Sequence, residues 1–457
     1  MTIAPSGTRK ALIQNVTHLL GTKRFLPIFV TQFLGAFNDN LFRTAMILLV
    51  IYGIYRSEEQ EAMFSAVAGG LFILPFFLLS ALAGQLADAT DKARIVRWVK
   101  TAEIGIMLFG AAGLLLLNVP LMLVALAAMG IHSTFFGPIK YAILPQHLRS
   151  DEVLGGTGLV EAGTYIAILG GTILGGLLVV QDAGGRYHAE YAAVGVLVVA
   201  VLGKIAGQFV PAAPPSTEDS GTINDPDLPR PGMDWHIVRA SLGLVRATMH
   251  VPRLFVAIMA ISFFWAMGAV LAAQFPPLVK NVLGGDQSVA TLFLAIFSVG
   301  VASGSLVINR LLGGEVSARF APISALLMGV SVFALYLLSA AWSPFPELVG
   351  TRQFLAEPTG WPVVASLFFV ALFGGMFVVP LYAFLTTTVP KSETARTVAA
   401  NNIVNAGAMV GATVLQYLLL KVGVSVEQTL LLVVAGTLVS AFLGKKLHRA
   451  CLAAGHP

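Results

Sequence analysis

Two kinds of residue are scarce in this chain of 457 residues. Only 11% of the residues are charged and there is one cysteine, Cys451, whereas a soluble domain is about 25% charged. A lone cysteine excludes an internal disulfide and any metal site built from several cysteines. With 56% hydrophobic residues, too few polar side chains remain to cover a soluble fold, so the composition excludes a soluble globular domain.

Motifs of hydrolytic enzymes are missing as well. The sequence has no HExxH, no GxSxG and no paired-aspartate motif inside an apolar run. His147 and Asp151 come nearest to the H-x-x-x-x-D pattern of acyltransferases, but with three intervening residues rather than four. His132 lies inside an apolar run, where a histidine is more often a hydrogen-bonded packing residue. We therefore predict no enzyme, no metal and no cofactor.

Long apolar runs dominate the chain instead. A helix needs about 20 apolar residues to cross about 30 Å of hydrocarbon. Twelve runs meet this requirement, which predicts an all-α membrane protein with twelve transmembrane helices. The runs cover residues 25–53, 63–86, 95–117, 120–144, 157–180, 190–210, 252–280, 288–312, 320–340, 362–388, 396–420 and 427–444.

The 28 lysine and arginine residues are unevenly distributed between the loops. With the N-terminus inside, inner segments hold most of them, including the basic segment from Lys92 to Lys100. The positive-inside rule therefore places both termini in the cytoplasm, and the net charge of +5 needs no nucleic acid to explain it. The outer segments carry Arg56, Arg186, Lys280, Arg352 and Lys421.

The chain divides into two halves at a polar stretch. Residues 1–210 and 251–457 each hold six runs, and residues 211–250 form a predicted cytoplasmic linker. Within it, Arg239 and Arg246 are seven residues apart in a helical pattern. This pattern fits an interfacial helix on the anionic cytoplasmic leaflet, and it equally fits a plain basic linker.

Short sequences recur at corresponding places in the two halves. Parallel six-helix repeats are a plan of secondary transporters, whose substrate site lies between the repeats near the midplane. The paired sequences are GQL at 84–86 and GSL at 304–306, PIKYAIL at 138–144 and PLYAFL at 380–385, and LVEAG at 159–163 and IVNAG at 403–407.

The segment after the second run reads GQLADATDKAR at residues 84–94. It resembles the G-x-L-a-D-r-x-G-r-k signature of the major facilitator superfamily, although an aspartate, Asp91, replaces the second glycine. The resemblance implies a cytoplasmic latch that is made in one state of the transporter and broken in the other. Its residues would be Gly84, Asp88, Lys92 and Arg94.

Further motifs resemble the bacterial lysophospholipid transporter family. They are QFLGAFNDNLF at 32–42, FGPIKY at 136–141, QFPP at 274–277, VLGG at 282–285 and FVVPL at 377–381. Without them, the fold would fit an exporter of drugs or small metabolites equally well.

That resemblance implies a substrate and a location. Members move lysophospholipids, chiefly lysophosphatidylethanolamine, from the outer to the inner leaflet of the bacterial inner membrane. An acyltransferase on the cytoplasmic side then restores the second chain. Some relatives carry this enzyme fused behind the transporter, and for this chain we expect it to be a separate partner.

The first run carries an unusual set of polar residues. Gln32, Asp39 and Arg43 are spaced seven and four apart, so they share one helix face, and Asn38 and Asn40 widen it. An ionisable group at mid-bilayer costs about 2.5 kcal/mol or more unless it is paired or hydrated. We therefore expect this face to line a cavity rather than to point at lipid.

A phosphoethanolamine headgroup carries a negative phosphate and a positive ammonium, and each predicts a partner among these residues. Arg43 or Lys140 would bind the phosphate, and Asp39 or Glu161 the ammonium. Other interpretations stay open: Asp39 with Arg43, and Lys140 with Glu161, are each potential structural ion pairs, and Asp39 is a potential carrier of a coupling proton or sodium ion. Glu103, in the third run, is a further ionisable residue.

The second half offers polar rather than ionisable groups in its runs. Gln274, Asn402 and Asn405 are candidate substrate contacts, and the remaining wall would suit an acyl chain. Pro276 and Pro277 lack backbone donors, so we predict that they interrupt the seventh span. They would form either an outer gate or an ordinary kink.

Overall fold

The computed structural model describes residues 18–54, 58–181, 187–215, 234–343, 345 and 347–453. Within them, twelve helices are long and apolar enough to cross a membrane, which confirms the predicted fold class. We number these helices α1 to α12. They are α1 Leu26–Leu48, α2 Glu58–Ala89, α3 Lys92–Leu115, α4 Val119–Ala142, α5 Val153–Leu177, α6 Glu190–Gln208, α7 Pro252–Pro277, α8 Gln287–Leu312, α9 Ala321–Ala340, α10 Gly360–Thr387, α11 Thr394–Lys421 and α12 Leu430–Ala453.

Shorter elements connect or extend these helices in the described residues. They are π-helical turns at Leu49–Ile54 and Leu278–Val282, helices at Leu144–His147, Ile237–Met249 and Thr351–Ala356, and the antiparallel strands Val180–Gln181 and Tyr187–His188.

The predicted spans match the helices to within a few residues except at the end of α12. That helix continues from the predicted end at 444 to Ala453, through Lys445 and Lys446. The helix outlasts the apolar run because lysine has a high helix propensity and the helical hydrogen bonds do not require apolar side chains.

The two prolines of α7 change its geometry without breaking the span. The α-helix runs to Pro277 and continues directly as the π-helical turn Leu278–Val282. A proline cannot donate to the carbonyl four residues earlier, and a π-helical turn is one way for a helix to accommodate such a lost bond. The predicted interruption is therefore a change of helix type.

Several helices begin at residues suited to that position. Asp91 caps α3 by accepting a hydrogen bond from the backbone N–H of Ala93, and Asn118 caps α4 in the same way through Leu121. Such caps satisfy donors that have no partner within the helix. These starts follow from local sequence alone.

The chain forms two compact units. Unit 1 comprises Met1–Glu152, Gly163–Ala247 and Thr386–Ile403, and unit 2 comprises Val153–Ala162, Thr248–Leu385 and Val404–Pro457. The beginnings of α5 and α11 thus group with the helices of the opposite half. The division at 211–250 stays a prediction, and residues 216–233 of the linker lie outside the described part of the chain.

Small residues allow close helix packing in each unit. In unit 1, a Cβ on Gly171 of α5 would meet the carbonyl oxygen of Phe37 on α1. In unit 2, a Cβ on Gly304 of α8 would meet the carbonyl oxygen of Leu372 on α10. Both sites therefore require glycine, as expected for helices that associate inside a membrane.

Candidate functional site

In the polar face of α1, Gln32, Asn38 and Asn40 are buried, whereas Asp39 and Arg43 are partly exposed. Gln32 accepts a hydrogen bond of 3.0 Å from the hydroxyl of Thr164 on α5. The Asn40 amide donates to the carbonyl of Ala36 at 2.8 Å, and its oxygen accepts from Arg43 at 2.8 Å. The face predicted from residue spacing is thus a set of internal polar contacts.

Asp39 and Arg43 bond to other residues rather than to each other. The hydroxyl of Ser133 on α4 donates to Asp39 Oδ2 at 2.7 Å. Arg43 donates to Asn40, and its guanidinium lies 5.9 Å from the centre of the Phe72 ring on α2. The Asp39 charge still attracts the Arg43 guanidinium, so the structural ion pair and the headgroup roles both stay predictions.

A second charged group lies beside this face, in the interior of unit 1. Lys100 Nζ lies 2.5 Å from Glu103 Oε2, and both side chains are at most 1% exposed. Asn38 Nδ2 donates to Glu103 Oε1 at 2.9 Å. His132 Nε2 lies 3.4 Å from Glu103 Oε2. We call Lys100, Glu103 and His132 the buried triad.

Lys100, which the charge count grouped with the inner basic segment, is buried in the interior of unit 1. Three glycines make room for its side chain: a Cβ on Gly35 would lie 2.9 Å from Lys100 Nζ, one on Gly203 3.3 Å from it, and one on Gly207 3.5 Å from Lys100 Cγ. The spacing of Lys100 and Glu103, one helical turn apart, is the signal that sequence reasoning missed.

Lys140 and Glu161 fall in different compact units. Lys140 occupies the last turn of α4, with its Nζ 4.8 Å from the centre of the Tyr141 ring. Glu161, on α5, is 1% exposed. Their predicted roles as headgroup ligands stay predictions.

In unit 2, which also holds the buried Glu161, four neutral interior side chains form a chain of hydrogen bonds. Ser262 Oγ donates to Asn405 Oδ1 at 2.7 Å, and the Asn405 amide lies 3.5 Å from the Tyr382 hydroxyl. That hydroxyl accepts from Trp265 Nε1 at 2.9 Å. We call these four residues the neutral network; only Asn405 was singled out from the sequence.

The other polar candidates of the second half are separate from this network. Gln274 is buried on α7, and its Oε1 has no hydrogen-bond partner among the described residues. The Asn402 amide nitrogen lies 3.5 Å from where a Cβ would stand on Gly137 of α4. Asn402 groups with unit 1 and Gln274 with unit 2.

The predicted latch residue Asp88 caps the start of α11. Its two carboxylate oxygens accept from the backbone N–H groups of Ala395 and Arg396 at 3.1 and 3.0 Å. Arg396 Nε lies 3.7 Å from Asp88 Oδ2. Gly84 permits this approach, since a Cβ there would lie 2.6 Å from the Cβ of Ala399. A carboxylate at a helix N-terminus is favourable because the helix dipole is positive there.

The remaining latch residues, Lys92 and Arg94, lie in the first turn of α3, which Asp91 caps. Asp91, which replaces the glycine of the superfamily signature, accepts from the backbone N–H groups of Ala93 and Ala213 at 2.9 Å each. Lys92 is fully buried, and Arg94 lies 5.6 Å from the Trp98 ring centre. The aspartate that replaces the signature glycine therefore caps the N-terminus of α3.

The helix Ile237–Met249 lies in the predicted linker. Its Ala240 packs in a small apolar cluster with Ala81 of α2 and Ile403 of α11. The opposite side exposes Val238 and Leu242. An exposed apolar stripe beside basic residues is what an interfacial helix needs, and its place at the membrane surface stays a prediction.

Asp234 precedes this helix and anchors its first turn. Both its oxygens accept from Arg239 at 2.8 Å, and one accepts from the backbone N–H of His236 at 3.0 Å. The hydrogen bonds from Arg239 and then from His236 lower the pKa of Asp234 to about 2.

The fold and sequence together define the class of protein. A model of the Major Facilitator Superfamily matches residues 28–413. The chain belongs to this superfamily. Its structure resembles that of the transporter FucP in the outward conformation, with a TM-score of 0.66, 13% identity and coverage of 93% of this chain and 98% of FucP. It also resembles the human organic anion transporter TETRAN, with a TM-score of 0.71, 12% identity and coverage of 92% and 99%. At these identities the likeness concerns the fold alone.

Curated relatives narrow the comparison and confirm the predicted resemblance. The Lysophospholipid transporter LplT of Cronobacter sakazakii is 26% identical over 370 residues, which cover 80% of this chain and 81% of the relative. The protein of the same name from Salmonella newport is 28% identical over 412 residues, which cover 88% and 90%.

Proposed function

We propose that this protein transports lysophospholipids, chiefly lysophosphatidylethanolamine, from the outer to the inner leaflet of the bacterial inner membrane. The observation that carries the proposal is the similarity to proteins named lysophospholipid transporters over 80–90% of both chains. Alternating access within the superfamily fold supplies the movement. A separate acyltransferase on the cytoplasmic side then consumes the product.

The charges on α1 suit a phosphoethanolamine headgroup. A guanidinium carries five N–H donors in a planar fork, and among the described residues Arg43 is hydrogen-bonded only to Asn40. The other donors match two phosphate oxygens. Asp39 accepts one hydrogen bond from Ser133 and supplies the opposite charge for the ammonium. We assign phosphate to Arg43 and ammonium to Asp39.

The other candidates take supporting roles in this proposal. Lys140 and Glu161 are alternative ligands for phosphate and ammonium. Gln274, Asn402 and Asn405 contribute polar contacts, and apolar side chains accommodate the acyl chain.

Conformational change is assigned to two further groups. The latch opens and closes during transport; it consists of Gly84, Asp88, Lys92 and Arg94. In its closed state, Asp88 caps the N-terminus of α11. Pro276 and Pro277 gate the outer side through the adjoining π-helical turn.

Uptake of labelled lysophosphatidylethanolamine tests the substrate. Cells that lack their own transporter are compared with and without this protein, and with the Asp39→Asn variant. We expect the wild-type protein to accumulate and reacylate the lipid. Loss of a charged partner in a desolvated site costs about 2–5 kcal/mol, so Asp39→Asn should reduce uptake by at least about thirtyfold.

Asp151→Asn serves as the matched control. Asp151 is an exposed carboxylate that pairs with Arg149 outside the spans, and this variant should transport like wild type. Membrane levels of each variant are compared by immunoblot. Normal uptake by a well-expressed Asp39→Asn variant would refute the assigned site. No uptake by the wild-type protein would refute the lysophospholipid substrate. The alternative function, export of drugs or small metabolites, would then be favoured.

A further inference from the structure

The helix Ile237–Met249, which we call the linker helix, is attached along one side to unit 1. Its Ala240 packs in an apolar cluster with Ala81 of α2 and with α11. Just before the helix, the backbone N–H of Asp234 donates to Gln85 Oε1 at 2.9 Å. Ala81 and Gln85 both lie near the end of α2. These contacts hold the linker helix at the end of a membrane span.

The opposite side of the linker helix carries large apolar side chains that are exposed. Trp235 is 73% exposed, and Val238 and Leu242 are each 68% exposed. Val238 and Leu242 are four residues apart and therefore share one face of the helix, and Trp235 lines the same shallow groove. Tryptophan is enriched where lipid headgroups meet acyl chains, because its ring is amphipathic. The groove therefore suits the edge of a bilayer.

Two arginines also line this groove, and they differ in their partners. Arg239 donates to both carboxylate oxygens of Asp234 at 2.8 Å, so its charge is neutralised within the protein. Arg246 follows Leu242 by one helical turn, is exposed, and has no ion-pair partner among the described residues. A guanidinium offers five N–H donors to an anion. An unpaired positive charge therefore lies beside the apolar groove.

An anionic phospholipid matches both features of this surface. Its phosphate complements the charge of Arg246, and its acyl chains complement the apolar groove. A small soluble anion would satisfy the arginine and leave the apolar side chains in water. Only His250 and Val251 separate the linker helix from the span α7 in the chain. The chain therefore keeps the linker helix close to the headgroup layer.

We propose that the groove of the linker helix binds an anionic phospholipid of the surrounding bilayer. Arg246 binds the lipid phosphate, and Trp235, Val238 and Leu242 contact the glycerol backbone and the first part of the acyl chains. This lipid is a bound partner of the protein rather than its transported substrate. Its binding does not depend on which substrate the protein transports, so transport and lipid binding fail or succeed separately.

The test measures quenching of tryptophan fluorescence in proteoliposomes that contain the purified protein. The bilayer is phosphatidylcholine with phosphatidylglycerol, and one of the two lipids carries bromine atoms on its acyl chains. The signal of Trp235 is the difference between wild type and Trp235→Phe. A basic residue near an anionic surface is worth about 1 kcal/mol, which corresponds to about a fivefold preference for phosphatidylglycerol over phosphatidylcholine at Trp235.

Two variants separate the charge from the apolar groove. Arg246→Gln should abolish the preference for phosphatidylglycerol, whereas Leu242→Gln should weaken quenching by both lipids because it removes apolar area. Arg310→Gln is the matched control, because Arg310 is an exposed arginine in the last turn of α8, in unit 2. It should keep the wild-type preference.

Three outcomes of the quenching experiment would overturn the proposal. They are a Trp235 that neither lipid quenches, equal quenching by the two lipids in wild type, and an undiminished preference in Arg246→Gln. Unchanged quenching in Leu242→Gln would remove the apolar groove from the site.

A second measurement uses the protein in detergent and needs no bilayer. A ligand that binds the folded state raises the unfolding midpoint, so added phosphatidylglycerol should raise it more in wild type than in Arg246→Gln. Glycerol 3-phosphate should raise neither midpoint, because it has no acyl chain for the groove. An equal rise from glycerol 3-phosphate would indicate a site for free anions, and an equal rise from phosphatidylglycerol in both proteins would exclude Arg246. Either result would overturn the proposal.

Discussion

The interiors of the two compact units hold different kinds of polar group. Unit 1 buries the ion pair of Lys100 and Glu103 beside Asp39 and Arg43. In unit 2 the neutral network joins Ser262, Asn405, Tyr382 and Trp265 through uncharged hydrogen bonds. The packing devices are the same in both units, since glycines on α5 and α8 admit neighbouring backbones alike. Unit 2 also holds the buried Glu161, so the contrast is between the buried ion pair of unit 1 and the neutral network of unit 2.

This difference indicates a division of labour. Buried charges are costly, and inside membranes they usually mark ion or substrate pathways. A neutral network fixes side-chain positions at lower cost and leaves the surrounding wall apolar. The buried charges of unit 1 therefore agree with the proposal that the headgroup binds there. Three predictions test this comparison between the two units. They are given in decreasing order of the expected loss of unfolding free energy.

The largest effect is expected in the buried triad. Lys100→Met leaves Glu103 as a buried carboxylate without its cation, and breaking a buried pair in this way costs about 3–5 kcal/mol. Unfolding of the purified protein by heat or denaturing detergent measures the loss. Lys445→Met is the control, because Lys445 is exposed near the end of α12.

The double variant Lys100→Met with Glu103→Gln sharpens this prediction. Removal of both charges leaves neither uncompensated, so most of the lost stability should return. If the double variant is as unstable as Lys100→Met, then lost packing rather than uncompensated charge explains the defect.

A smaller effect is expected in the neutral network. Tyr382→Phe removes the hydroxyl that accepts from Trp265 Nε1. Hydrogen bonds between transmembrane helices are worth about 0.6 kcal/mol on average and about 1.7 at most, so the loss of stability should fall in this range. The same unfolding assay measures it. A loss as large as that of Lys100→Met would mean that the two interiors do not differ in energetic character.

The smallest effect is expected for an ion pair outside the spans. Arg24 donates to both oxygens of Glu152 at 2.6 Å. Burial of Glu152 acts to raise its pKa, but the hydrogen bonds from Arg24 and from the backbone of Arg149 outweigh it and lower the pKa below the usual 4.5. The pair therefore contributes stability above the unfolded-state pKa and loses it as the pH falls through the lower folded-state pKa.

Glu152→Gln tests this third prediction. The side chain of Arg24 is 35% exposed, and pairs with such access to water contribute about 0.5 kcal/mol. We expect the unfolding midpoint to drop slightly at about pH 7 and the difference from wild type to fade below about pH 4. A difference that grows on acidification would contradict the assignment.

The sequence by itself determined the twelve spans and the polar face of α1. Because the membrane interior has no water, every backbone polar group must bond within its own helix, and the side chains that face lipid must be apolar. Each span therefore appears in the sequence as one continuous apolar run. Residues spaced three or four apart necessarily share a face. The end of α12 was missed because the helix outlasts its apolar run.

Tertiary structure alone decided which polar groups meet. Ser133 reaches Asp39 from a helix 94 residues later in sequence, and Asp88 caps a helix that begins more than 300 residues later. Lys100 lies in the interior rather than in a basic loop because glycines on α1 and α6 leave a slot for it. Apolar periodicity is a property of one segment, whereas the partner of a buried charge depends on how separate helices pack, and only the folded chain specifies that.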